Sequence, residues 1–186
     1  MEVLAVTPVL RPLALALLLS VGASVSAAAE ESIQLIEQKI KAGLIYNFLK
    51  YTQWPHPGPN IVVCVLGGDP FAGNLAPMGG RTVNESTIEI RAIDSIDHAN
   101  GCALMVVNAE RKSSWRDTKA KLTGKDVLTV SDFDGFVEAG GMIEFTHANE
   151  RIGVKINVDA VAATHLVVQD RLLKLAGATG KTAPEH

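Results

Sequence analysis

Ile61-Val62-Val63-Cys64-Val65-Leu66-Gly67-Gly68-Asp69-Pro70 is the stretch on which the fold turns. Its first six residues are apolar, and four of them are β-branched. A strand with one wet face alternates apolar and polar residues; this one does not, so both of its faces are expected to be covered, as in a parallel sheet between helices. The glycines permit a tight turn, Asp69 can cap, and Pro70 suits the first position of a short helix from Phe71 to about Ala76. Strand, glycine turn and helix in this order form the place where open α/β sheets bind anions. Gly67, Gly68 and Asp69 are therefore ligand-binding candidates. The spacing is neither that of a P-loop nor that of a dinucleotide fingerprint, so an ordinary turn is the competing reading.

Upstream, residues 30–54 form the expected opening helix. Ile33, Ile36, Ile40, Leu44, Ile45, Phe48 and Leu49 recur at the step of one helical face. Pro55 is the expected stop, because proline lacks an amide hydrogen and disfavours a helical residue before it. Four of the nine aromatic residues, Tyr46, Phe48, Tyr51 and Trp54, cluster here. Phe48 and Trp54 are expected in the core, whereas Tyr46 and Tyr51, off that face, are candidates for a partner or dimer surface.

Downstream, Ser86 to Ile93 alternates and predicts a half-exposed strand. Cys102 to Val107 and Val127 to Val130 are further buried strands, and Ser113 to Leu122 a helix. Ser131 and Asp132 end the third buried strand, where ligands bind in such sheets, and join the ligand candidates. The pattern changes after Met142. Residues 142–145 and the alternating 152–158 flank a hairpin connection at 147–150. Arg151, Lys155 and Asn157 share that strand's polar face and are the remaining partner-surface candidates, a solvated face being the plainer reading. A short helix from Asp159, either a short strand at Leu166–Val168 or more helix, and a helix from Asp170 to Ala176 complete the domain. The fold class is α/β: a single three-layer domain, mostly parallel sheet flanked by helices, with an antiparallel hairpin at the C-terminal edge.

The whole chain has 186 residues, 47% apolar and 20% charged, with a net charge of −3. That balance gives no basic field for nucleic acid. Arg11 precedes an apolar run from Pro12 to Val21, followed by small residues to Ala29, which reads as a secretory signal. The organisation expected is signal peptide 1–29, globular domain 30–177 and disordered tail 178–186, with a soluble secreted product. Cys64 and Cys102 are the only two cysteines. In an oxidising compartment they can pair, closing a loop worth roughly 4 kcal/mol by chain entropy, or remain two buried thiols. His56, His98, His147, His165 and His186 lack the spacing of metal ligands, and no nucleophile has a partner base. No metal, no cofactor and no catalytic residue are expected.

The motifs together resemble the YfiR-like family of periplasmic regulators. The resemblance is carried by Tyr46-Asn47-Phe48-Leu49-Lys50-Tyr51-Thr52-Gln53-Trp54-Pro55, by Val63 to Phe71, and by Val127 to Asp132 with Gly135-Phe136. Gly140-Gly141-Met142-Ile143, Arg151 to Asn157 and Leu172 to Ala176 continue it. It implies a secreted α/β domain, commonly dimeric and not an enzyme. It also implies a membrane-bound signalling partner, a diguanylate cyclase in the best-known member, whose repression sets cyclic-di-GMP and biofilm matrix. Redox sensitivity through disulfides belongs to that member; Cys64 and Cys102 stand in matching contexts, whereas its second pair falls near Met142 and Ala148 here. The competing function is a periplasmic small-ligand sensor acting on another membrane partner, such as a histidine kinase, through Gly67 to Pro70 and Ser131 to Asp134.

Overall fold

The computed structural model describes residues 19–148 and 151–179. The expected signal lies outside them up to residue 18, as do Asn149 and Glu150 of the hairpin and the tail from residue 180. The chain divides into two compact units, residues 1–36 and 37–186. Of the first, the structure describes part of helix α1 (Leu19–Lys50). This helix begins before the expected cleavage positions and runs through them. Among the described residues no helix is long and apolar enough to cross a membrane.

The second unit is built on an eight-stranded mixed sheet. In chain order its strands are β2 (Asn60–Leu66), β3 (Thr82–Val83), β4 (Ser86–Ile93), β5 (Cys102–Val107), β6 (Leu128–Ser131), β7 (Ile143–Ala148), β8 (Arg151–Asn157) and β10 (Gly177–Thr179). Across the sheet they lie in the order β10-β8-β7-β6-β5-β2-β4-β3. β4, β2, β5, β6 and β7 are mutually parallel; β8 is antiparallel to β7 and β3 to β4. The parallel sheet and C-terminal antiparallel hairpin are those expected from the sequence. Residues 178 and 179, expected in the tail, instead extend the edge as β10, parallel to β8.

β2 shows why its sequence does not alternate. Ile61, Val63 and Val65 enter one core with Ala42, Ile45, Phe48 and Leu49 of α1, while Val62, Cys64 and Leu66 enter a second with Trp115 and Leu122 of α2 (Trp115–Leu122). The period-2 geometry of the strand is intact, but helices cover both of its faces. The two layers are pinned by aromatic pairs: Phe48 stacks on Phe145 at 5.7 Å between centroids, and Trp115 meets Phe136 at 4.5 Å. Helices α3 (Val158–Ala162) and α4 (Asp170–Leu175) complete the first layer through Val161 and Leu172. Cys64 and Cys102 are bonded, with Cα atoms 5.7 Å apart, joining β2 to its neighbour β5.

The opening helix departs from expectation in two ways. Ile33, Ile36 and Ile40 are exposed, so the buried stripe is confined to the last turns, from Ala42 onward. The helix also ends at Lys50, five residues before Pro55. Thr52–Gln53 forms strand β1, paired antiparallel with β9 (Val167–Val168), and this ladder takes the backbone out of helical geometry. Asn84 secures the end, its Nδ2 donating to the carbonyls of Leu49 and Lys50. Asn84 and Glu85, both at positive φ, form the two-residue turn between β3 and β4, a hairpin geometry that tolerates Asn well.

Other caps shift by a few residues. Asn108 rather than Ser113 caps the 3-10 turn Ala109–Ser114 that leads into α2, and Asn157 rather than Asp159 caps α3. After Asp69 the chain makes successive turns and a 3-10 turn at Ala76–Met78 instead of the expected helix from Phe71 to Ala76. Asp69 is the reason: its carboxylate accepts the amides of both Phe71 and Gly73, at 2.8 and 2.7 Å, which holds the chain in a compact turn.

Candidate functional site

The carboxyl ends of β2 and β6 carry the ligand candidates read from the sequence, and the chain's own groups engage them. Gly67 sits at φ +91°, and a Cβ built on it would lie 2.6 Å from the Arg111 guanidinium nitrogen Nε. Only glycine allows Arg111 to approach this closely. Asn108 Nδ2 donates to the Gly68 carbonyl, and Asp69 is committed to its turn. Arg111 and Asn108 thus line the crevice between β2 and β5, where the order of connection reverses, and Gly67, Gly68, Asp94 and Arg111 border a cavity of about 590 Å³ beside it. At β6, the Ser131 hydroxyl donates to Val107 O at 2.7 Å and accepts from the amide of Phe133.

Asp132 leads to an arrangement the sequence did not reveal. Lys41, only 4% exposed, lies 2.6 Å from Glu37 Oε1 and 3.5 Å from Asp132 Oδ2, with its ammonium 5.9 Å from the Phe145 ring centroid. His147 of β7 reaches the same Glu37 oxygen at 2.6 Å. A buried ammonium needs such partners, since burial without them costs several kcal/mol. Partial burial pushes the Glu37 carboxyl up, but hydrogen bonds from Lys41 and His147, and their charges, outweigh it and hold it below its ordinary value. The i, i+4 spacing of Glu37 and Lys41 was visible; their convergence on residues about ninety and more than a hundred positions away was not.

At the opposite edge of the sheet, the amino ends of β2, β4, β5 and β6 surround a cavity of about 430 Å³. Thr52 and Gln53 of β1, Trp54, Asn60, Asp126 and Gln169 are in its wall. Trp54 is half-buried and its indole nitrogen donates to Ala103 O at 3.1 Å. That carbonyl is available because the β2–β5 register slips: Val62 pairs with Cys102 but Val63 pairs with Leu104. Asp126 accepts both the backbone amide and the ring of His165, and the backbone hydrogen bond is the leading cause of its lowered pKa. Sequence reading looked for ligands at the carboxyl edge and passed over this one. The only local hint was the Trp54-Pro55-His56-Pro57 connector, whose partners are remote in sequence.

The family model described as YfiR/HmsC-like matches residues 38–177, three-quarters of the sequence. The chain belongs to the YfiR/HmsC-like family. The YfiR/HmsC-like match takes in the whole eight-stranded sheet down to the first residue of β10, the Cys64–Cys102 bond and the amino-edge cavity. It begins just after Glu37, so Ile33, Leu35 and Ile36 lie outside it.

Within the YfiR/HmsC-like domain, the surface candidates separate into two groups. Tyr46 and Tyr51 are half-buried, each under a cation: Arg81 lies 4.8 Å from the Tyr46 centroid, and Lys50 and Arg171 lie 5.4 and 5.8 Å from that of Tyr51. On the C-terminal hairpin, Arg151 is exposed, whereas Lys155 reaches Glu138 at 3.4 Å and the buried Glu144 at 3.8 Å. Asn157 accepts the amide of Ala160 and donates to Val137 O, which is a structural role. The tyrosines and the hairpin residues are on separate elements. Among the described residues there is no cluster of three or more His, Cys, Asp or Glu side chains able to hold a metal.

Proposed function

We propose that this protein is a secreted regulator without catalytic activity. It acts in the periplasm by binding the outer part of a membrane signalling protein and repressing it. The partner class is a diguanylate cyclase, so that cyclic-di-GMP and biofilm matrix rise when the regulator is absent. In this reading residues 1–29 are a signal peptide removed on export, and the product works as a homodimer. The observation that carries the reading is the YfiR/HmsC-like match over residues 38–177. The Cys64–Cys102 bond supports it, since such bonds persist in oxidising compartments.

Deletion of the gene, followed by measurement of cyclic-di-GMP and matrix, tests the proposal. A rise in both, reversed by supplying the chain to the periplasm, is expected. Unchanged cyclic-di-GMP would sink the cyclase reading. Binding of the purified chain to the outer domain of a cyclase encoded beside it then tests direct contact.

A further inference from the structure

We propose that the amino-edge cavity is a binding site for a neutral sugar or polyol of mono- to disaccharide size. Its volume of about 430 Å³ falls within the range of roughly 300–1,000 Å³ typical of small-molecule sites. The wall chemistry selects the ligand class. Among the described residues no lysine or arginine lines the cavity, and its titratable lining groups are Asp126 and His56, so an anionic ligand would face a carboxylate with no ammonium or guanidinium to offset it. A cationic ligand gains little either, because both Asp126 oxygens are already shared with His165.

What remains free is amide chemistry. Among the described residues the side chains of Gln53, Asn60 and Gln169 make no hydrogen bond to the protein. Each offers donors and an acceptor, which is the pairing a hydroxyl group needs. Trp54, Pro55 and Pro57 add apolar and aromatic surface of the kind that packs on sugar C–H faces. The site does not depend on which membrane protein is the partner.

The test is a titration of the isotope-labelled chain, expressed with its natural N-terminus and recovered from the periplasm, followed by amide NMR. The neutral probes are glucose, galactose, N-acetylglucosamine and maltose; the anionic ones are gluconate and glucose 6-phosphate. At least one neutral probe is expected to shift the amides of residues 52–60 and 101–103 saturably, with the anions silent. The double variant Gln53→Ala, Asn60→Ala is expected to weaken that binding about tenfold or more, a loss of about 1.4 kcal/mol, with an unchanged melting temperature, since neither side chain holds the fold. Absence of saturable shifts with every neutral probe, equal shifts from the anions, or wild-type affinity in the double variant would each overturn the assignment.

Discussion

Lys41 is buried and held by two partly exposed carboxylates, Glu37 and Asp132. Lys41→Ala is expected to cost roughly 1–3 kcal/mol in urea unfolding, because it removes the partner of the half-buried Asp132 along with the packed stem. Lys41→Met, which can pack on Phe145, is expected to cost clearly less; equal losses would mean that the ammonium contributes nothing beyond its stem. Glu37 adds a dependence on pH. Its folded-state pKa is lowered, so its contribution is present above its ordinary value of 4.5 and is lost as pH falls through the lower folded value. The groups facing it are Lys41 and His147. Unfolding midpoints taken between about pH 6 and about pH 3 should therefore fall more steeply for the natural protein than for Glu37→Gln. Parallel curves would remove Glu37 from the acid response. Neither Lys41 nor His147 stood out in the sequence, since a lone lysine in a helix and a lone histidine in a hairpin look like solvated surface. Their meaning comes from β7 and the end of β6 arriving beside α1.

Single elements were legible in proportion to how local their causes are. β2, β5 and β8 were readable because covered strands are uniformly apolar and a half-covered strand alternates. The end of α1 was not, because it is set by Val167 and Val168, which pair with Thr52 and Gln53 through backbone groups that carry no sequence signature. The β3–β4 turn was missed for a related reason: it has Asn84 followed by Glu85, where the common two-residue hairpin signal is Asn-Gly. The aromatic cluster was legible only in part: Phe48 is buried as expected, whereas Trp54, also expected in the core, is half-buried like Tyr46 and Tyr51 because it lines the amino-edge cavity. Phe48 is fully buried against Phe145, and Phe48→Ala is expected to cost about 3–5 kcal/mol. Tyr51 is half-buried with its ring under Lys50 and Arg171, contacts worth about 1–2 kcal/mol, so Tyr51→Ala should keep a cooperative melting transition. Circular dichroism melts decide between them, and the opposite ranking would mean that α1 docks by its polar side.

For the molecule as a whole, the sequence carried the class and the layers but did not point to the cavity at the amino edge of the sheet. The rule that open α/β sheets bind at the carboxyl edge assumes that the crevice between diverging connections stays empty. Here Arg111 packs on Gly67 and Asn108 on Gly68, while at the other edge the short β1–β9 ladder and the proline-rich connector stand off from the strand starts and leave a cavity.

The bond between Cys64 and Cys102 has a mechanical consequence. Its two ends are 38 residues apart in sequence, and the whole β3–β4 edge hangs on the ring it closes. A pull applied through the chain ends cannot pass through that ring, so the edge bears no load. The oxidised protein should reach full extension shorter than the reduced one by roughly 130 Å, at about 3.3–3.6 Å for each enclosed residue. Optical-trap stretching with and without reductant measures this directly, and identical contour lengths would show that the bond does not carry the tension.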